Sequence, residues 1–303
     1  MTDWSSFDIG VRTEESSQRV ARACITVQLY GGAAFARQAH VLYRNWLDRV
    51  PADAPLHYVN RSALSPRPLA PKDRQRIDAA LVRCSAKNEY YWINSAPGYE
   101  LGAHTLEIDL WPDNDAVSSA VVMCRALDSA VTPALAAELL QEFTALLQTD
   151  GLVHASAGLG MGVIWGDDFE QACGPRLFAT CMRHLGLDLP NRAVYAYLRE
   201  HIKGPGWLTF LSQPLAPRLA TATGAPAGYR EVDLEHGGRL LIAGNLPPLG
   251  DVNRRAPDIA GLRHAAKVLR PLRMTRWVDI PLPLDSFDVE TDVWLSRLDG
   301  TAP

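Results

Sequence analysis

Glu107 and Asp109 are the residues whose type and spacing first suggest chemistry. They alternate along HTLEIDLWP (104–112), a strand pattern with Thr105, Glu107 and Asp109 on one face and Leu106, Ile108 and Leu110 on the other. Carboxylates two apart on a strand stand about 7 Å from each other, and Asp113 and Asp115 follow at once. A metal would need these oxygens to converge with further ligands. Nothing in the spacing selects convergence, so no metal is expected. A pair such as Glu107 with Asp167 has the residue types for acid–base work, but any chain of this size offers such pairs by chance. His236 lies near Asp233 and Glu235, as a general base would, yet a tight hairpin turn there favours a solvated ring.

Nucleophiles fare no better. There is no G-x-S-x-G elbow, and Ser156 and Ser212 lack a recognisable base. The five cysteines, Cys24, Cys84, Cys124, Cys173 and Cys181, are odd in number and far apart, with no CxxC pair and no HExxH elsewhere. Free, mostly buried thiols in a reducing compartment are the expectation. Gly158, Gly160 and Gly162 alternate at period two, which is a strand face open to close backbone approach and not a dinucleotide turn. No catalytic residue and no cofactor is expected. Tyr90, Tyr91, Trp92 and Tyr99 offer something different. They fall in AKNEYYWINSAPGYELGAH (86–104), read as an exposed aromatic loop or a loop folded over a sheet. Tyrosine and tryptophan are enriched at binding surfaces. With Glu107, Asp109, Asp113 and Asp115 they form the candidate partner-binding set. If that loop is contact surface, Trp92→Ala should weaken binding by more than about 1 kcal/mol with little change in melting.

The elements that must position these residues follow from periodicity. ARACITVQLY (21–30) alternates as a strand, and residues 33–50 carry Phe35, Ala39, Leu42, Trp46 and Val50 as a helical stripe stopped by Pro51. A short strand is expected at 57–61, a proline-rich loop at 62–73, and a helix over about 72–83. Residues 116–127 read as a strand. Thr132 is an N-cap with Pro133 at the first helical position, opening a helix to 150 with a broad leucine stripe. A strand follows over 153–165. One or two helices lie in 167–190, interrupted at Gly174–Pro175, with a short helical segment near 191–201. Residues 228–244 read as a hairpin turning near 235–237. The stretch 237–277 then runs strand, rigid Pro247–Pro248 corner, polar loop GDVNRRAPD and a helix over about 259–269 capped by Asp258.

These elements predict an α+β protein with mixed, mainly antiparallel sheet and packed helices, two similar-sized subdomains being allowed. Residues 1–19 are expected as a polar leader whose structure comes from docking. Residues 20–278 form the domain, with an internal division allowed near 128–152, and 279–303 form an acidic, proline-containing tail. At 303 residues the chain can bury roughly three quarters of its unfolded surface. A net charge of −4 disfavours a protein that works by neutralising phosphates. The basic run Arg254, Arg255, Arg263, Lys267, Arg270, Arg273 and Arg276 can serve an acidic partner, nucleic acid or the acidic tail behind it. Neither a secretory leader nor eighteen apolar residues in a row occurs, so a cytoplasmic chain without membrane contact is expected.

GDVNRRAPDIAGLRHAAKVLRPLR resembles the C-terminal signature of the type VI secretion immunity family. IKGPGWLTFLSQPLAPRL (202–219), ASAGLGMGVIW (155–165), the 131–148 helix and the ACITVQLY strand resemble further family blocks in family order. The likeness covers about 20–278 and leaves the tail outside. It implies an immunity protein that binds a cognate effector toxin, some relatives being paired with DNA-cleaving toxins, and occludes its active or substrate-binding site. It implies no direct nucleic-acid contact and leaves self-association open. The motif residues that match are Gly206, Trp207, Leu208, Thr209, Gly250, Asp251, Asn253 and Arg254. Trp207 is expected in the core, and Asp251 and Asn253 in a network that fixes a loop. An enzyme of unknown reaction and a structural or regulatory scaffold are the alternatives. A cleft with perturbed titratable groups would favour the first, and a large symmetric self-interface the second.

Overall fold

The computed structural model describes residues 2–12, 17–84, 88–113, 118–164, 167–189, 200–254, 258–274, 293–294 and 296–300. The first half contains β1 (Ile9–Arg12), β2 (Ser17–Gly31), α1 (Ala33–Leu47), β3 (His57–Asn60), β4 (Ala63–Pro68), α2 (Pro71–Val82), β5 (Glu89–Asn94), β6 (His104–Leu110), β7 (Ser119–Ala126) and α3 (Pro133–Leu146). The second contains β8 (Leu152–Val163), α4 (Asp167–Arg183), β9 (Leu208–Leu211), β10 (Tyr229–Asp233), β11 (Arg239–Ala243) and α5 (Ala260–Val268).

All the strands join one sheet in the order β10-β11-β9-β8-β2-β7-β6-β5-β3-β4, with β1 on the first residues of β2. Every pairing along that path is antiparallel. The centre is β2. It lies between β7 from the first half and β8 from the second, so the two halves share a continuous sheet. The mixed α+β architecture expected from the sequence is the one found.

Alternation gives the sheet two unlike faces. Ile25, Val27 and Leu29 of β2 stand beside Leu159, Ala157 and Ala155 of β8 and Arg125, Met123 and Val121 of β7. Leu106, Ile108 and Leu110 continue this mainly apolar face on β6 and are fully buried. The stripe Phe35, Ala36, Ala39, Leu42, Tyr43 and Trp46 of α1 is buried as its 3,4 spacing requires, and α1 packs on α2, β2, β6 and β7. Thr132 caps α3 as expected, its hydroxyl accepting the Leu135 N–H at 3.2 Å. The opposite face carries Thr26, Gln28 and Tyr30, which are equally buried.

Several local expectations are corrected. Residues 63–68, read as part of a proline-rich loop, form edge strand β4, where a missing N–H can be tolerated. Within 86–104, residues 89–94 are not loop but strand β5, lying between β3 and β6. Pro175, the ninth of the seventeen residues of α4, forgoes one helical N–H bond, yet α4 runs through it unbroken. Asp258 does not cap α5; Ile259 occupies that position with no side-chain cap. The N-terminal leader is docked: Trp4–Phe7 form a 3-10 turn with both aromatic rings buried, and β1 pairs with β2. In the tail, Trp294 and Leu298 are buried and Asp299 pairs with Arg273 at 2.8 Å. The short helical segment expected near 191–201 lies almost wholly outside the described residues.

Candidate functional site

The polar face of the sheet holds a row that crosses six strands: Thr209, Ser156, Gln28, Val122, Glu107 and Trp92 stand opposite one another in register. Against Gln28 lies a buried ionic cluster from the second half of the chain. Lys203 Nζ is 2.7 Å from Asp188 Oδ2, and donates to Leu189 O at 2.8 Å and to Gln28 Oε1 at 3.2 Å. Gln28 Nε2 donates to Asp188 at 2.6 Å, and Tyr30 OH donates to Gln28 Oε1 at 2.7 Å. The His154 ring stacks on Tyr30 with centroids 4.5 Å apart. The Arg297 guanidinium reaches Asp188 at 4.0 Å.

Burial alone would raise the Asp188 pKa. The charges of Lys203 and Arg297, with hydrogen bonds from Lys203 and Gln28, outweigh it and hold the carboxyl below its ordinary value. Burial pulls Lys203 down, and Asp188 only partly restores it. His154 is driven to about 3 by burial and then by the Lys203 charge, so its ring is neutral. Thiols are held protonated by burial, Cys181 at about 12 and Cys84 at about 11. A protonated, buried thiol is inert as a nucleophile. Among the described residues no group of three or more His, Cys, Asp or Glu side chains could hold a metal ion. This cluster lies inside the fold, with Asp188 slightly exposed, and ties β2 to Asp188 and Lys203 through its hydrogen bonds.

The eight residues expected at a partner surface are not brought together on one. Tyr91 points to the apolar face and is buried, its hydroxyl donating to Glu89 at 2.9 Å. Trp92 is buried with Leu101 and Ile164 in a small cluster of its own, against which Tyr90 is half-buried. Glu107 is 6% exposed. These burials correct the reading of Tyr91, Trp92 and Glu107 as contact residues, because a strand inside a sheet hides alternate side chains on both covered faces. Asp109 is partly covered and pairs with Arg61 at 3.2 Å, while Arg61 also lies 4.9 Å over the Trp111 ring. Only Tyr99 and Asp113 are exposed. Asp115 lies outside the described residues.

The motif residues do converge, at two corners. Trp207 is 3% exposed; its indole N–H donates to Gly244 O at 2.8 Å, and its carbonyl accepts the Ala243 N–H at 2.8 Å. The Gly206 N–H donates to Thr209 Oγ1 at 3.0 Å. A Cβ at Gly158 would meet Trp207 N at 3.1 Å, so the period-two glycines of β8 do admit a close backbone neighbour. At the second corner Gly250 adopts φ +70°, a conformation that favours glycine. Its carbonyl accepts the Leu185 N–H at 3.1 Å, Gly186 donates to Leu249 O at 3.0 Å and Val252 to Arg183 O at 2.9 Å. Asp251 accepts the Asn253 N–H at 3.1 Å, pairs with Arg183 at 3.3 Å and lies 3.9 Å from Arg254. The hydrogen bond from Arg183 is the first cause of its depressed pKa. Asn253 and Arg254 themselves are exposed.

Among the described residues an eleven-stranded antiparallel sheet, packed helices and an internal ionic cluster define an α+β class. The comparisons narrow the class. The family described as type VI immunity for VRR-NUC matches residues 137–298, and this chain belongs to that family. It is a type VI secretion immunity protein, whose general role is to bind a cognate effector toxin. The match begins later than the resemblance read from sequence and takes in most of the tail placed outside it. The T6SS protein PA0821 of Pseudomonas aeruginosa has a similar solved structure, with TM-score 0.71 and 18% identity, over 96% of this chain and 87% of that one. That likeness speaks for the fold. No curated protein matches the chain.

Proposed function

We propose that the effector bound by this chain is a DNA-cleaving nuclease of the VRR-NUC type acting in the cytoplasm. The chain silences it by covering its active or substrate-binding site, with no chemistry of its own. The match of residues 137–298 to a family described by that nuclease carries the reading. Charge supports it: a net −4 chain complements the basic groove with which a nuclease meets DNA. So does the state of the buried thiols and His154, which burial leaves unreactive. Among the described residues no helix is long and apolar enough to cross a membrane.

Co-expression with the effector encoded beside this chain's gene tests the proposal. Growth rescue, co-elution on a sizing column and DNA cleavage that titrates to zero at one equivalent are expected. Absence of both rescue and complex overturns it. Time-dependent loss of cleavage at far below one equivalent would show turnover, and with it an enzyme.

A further inference from the structure

The two edges of the sheet are built differently. At one end β4 carries Pro66 and Pro68, which have no N–H to offer, so that edge resists another strand. At the other end β10, Tyr229–Asp233, contains no proline, and its last four residues are exposed. Its backbone directions follow from the hairpin. Leu234 N–H donates to Gly238 O at 2.8 Å, in register with Val232 opposite Leu240 and Arg230 opposite Ile242. Hydrogen-bonded pairs alternate along an antiparallel ladder. Arg230 and Val232 therefore bond β11, whereas Tyr229, Glu231 and Asp233 turn their N–H and C=O groups outward. Ala243, opposite Tyr229, agrees: it donates away from β10, to Trp207 O. The Tyr229 N–H is used locally on Pro226 O at 3.1 Å. Glu231 and Asp233 remain as outward-facing backbone on an edge with no further strand among the described residues.

The side chains on the same two residues select what can pair there. Glu231 and Asp233 project to one face and share Arg239, at 3.4 and 2.8 Å, with Tyr229 OH donating to Glu231 at 2.9 Å. Glu235 is exposed beside them, so this face keeps an excess of negative charge. The other face presents Arg230 and Val232, the latter 39% exposed. A second copy of this chain fits poorly. Twofold antiparallel pairing centred on Glu231 sets that carboxylate against itself, and centring on Val232 sets Glu231 against Asp233 twice. Like charges directly opposite destabilise a sheet.

We infer that β10 is a docking edge for an extended strand of the effector, one with Lys or Arg at alternate positions facing Glu231 and Asp233 and an apolar residue beside Val232. Main-chain bonds at residues 231 and 233 supply affinity, and the alternating charges supply selection. The inference rests on the toxin-binding reading above and specifies its surface.

The test uses the full-length chain and a catalytically dead form of the effector encoded beside its gene. Glu231→Pro deletes one outward N–H and leaves the bonds of Arg230 and Val232 to β11 in place. It should weaken binding by about tenfold in a chain that still folds, with a small loss in melting from the Arg239 and Tyr229 contacts of the Glu231 carboxylate. Glu231→Lys with Asp233→Lys should weaken it at least as much and lessen its dependence on salt. In wild type, amide exchange at Glu231 and Asp233 should be fast in the free chain and slow in the complex. Should the proline variant fail to fold, the lysine pair and the exchange measurement decide. If wild type binds but both folded variants bind within about twofold and the two amides still exchange freely, the docking edge is refuted while neutralisation stands. If wild type itself does not bind, the toxin-binding reading fails and the docking edge with it.

Discussion

Replacing Lys203 by methionine removes one charge from a place that water hardly reaches. The Lys203 side chain is 7% exposed and its ammonium makes three contacts, to Asp188, Leu189 O and Gln28. At 2.7 Å the gross attraction to Asp188 is about 6 kcal/mol at an effective dielectric of about 20. Desolvation offsets much of it, and the two partners feel the balance differently: Asp188 gains from the pair, whereas burial outweighs attraction at Lys203. The short contacts to Nζ favour the ionised pair near neutrality. Removing one partner of such a pair costs about 3–5 kcal/mol, because the other charge is left buried. Gln28 and Arg297 still serve Asp188, which places the loss at about 3 kcal/mol.

The pH dependence follows from the same groups. In wild type the depressed Asp188 pKa contributes stability above the unfolded carboxyl value of about 3.9, lost as pH falls through the folded value. Without Lys203, burial should lift Asp188 above its unfolded value, so the variant loses stability as pH rises between the two. Urea unfolding followed by circular dichroism should therefore show the gap between wild type and Lys203→Met at pH 7 and show it shrinking near pH 4. Asp188→Asn added to Lys203→Met should recover most of the loss. A gap under about 1 kcal/mol at pH 7, or one unchanged near pH 4, refutes the reasoning.

Trp92→Ala should lower stability by about 3 kcal/mol in urea unfolding, since its ring is buried with Leu101 and Ile164; protection lost with unchanged melting would return that residue to the contact surface. Gly160→Ala puts a Cβ 2.5 Å from Thr26 Cγ2 and 2.9 Å from Asp188 O. It should cost about 1–3 kcal/mol by calorimetry, and a neutral result would show that the strand crossing is looser than drawn. Thr132→Ala should cost about 1 kcal/mol through loss of the α3 cap, read from the same unfolding curves.

Elements with a single dominant period were readable from sequence. The α3 stripe with its Thr-Pro start and the β2 alternation needed no knowledge of neighbours. β5 was not readable, because Tyr90, Tyr91 and Trp92 are apolar without alternation and lie close to a glycine-rich turn. A strand buried on both faces loses the period-two signal. The ionic cluster was invisible for another reason. Gln28 and Tyr30 alternate with apolar residues as solvent-facing side chains do, and the groups that bury them arrive from Asp188, Lys203 and Arg297, far along the chain. Lys203 even lies inside a recognised block, where nothing local distinguishes it from a surface lysine.

The same geometry explains why motif residues can serve partner binding without touching the partner. An edge strand captures a segment well only if it is already held straight, since ordering it on contact would consume affinity. Among the described strands β10 pairs with β11 and β11 with β9, α5 adds His264 against the Tyr229 ring at 4.5 Å, and the corner where β9 begins is fixed by Trp207, Gly206 and Thr209. Trp207 closes this corner twice, through its indole to Gly244 and its carbonyl to Ala243, at the end of the strand that carries the hairpin. The ionic cluster acts one step behind. Lys203 stands just before the Gly206 corner, and an unpaired charge there would be costly enough to select a single docking of that segment on the sheet. Selection thus passes from the buried pair to the corner, and from the corner to the exposed strand that carries Glu231 and Asp233.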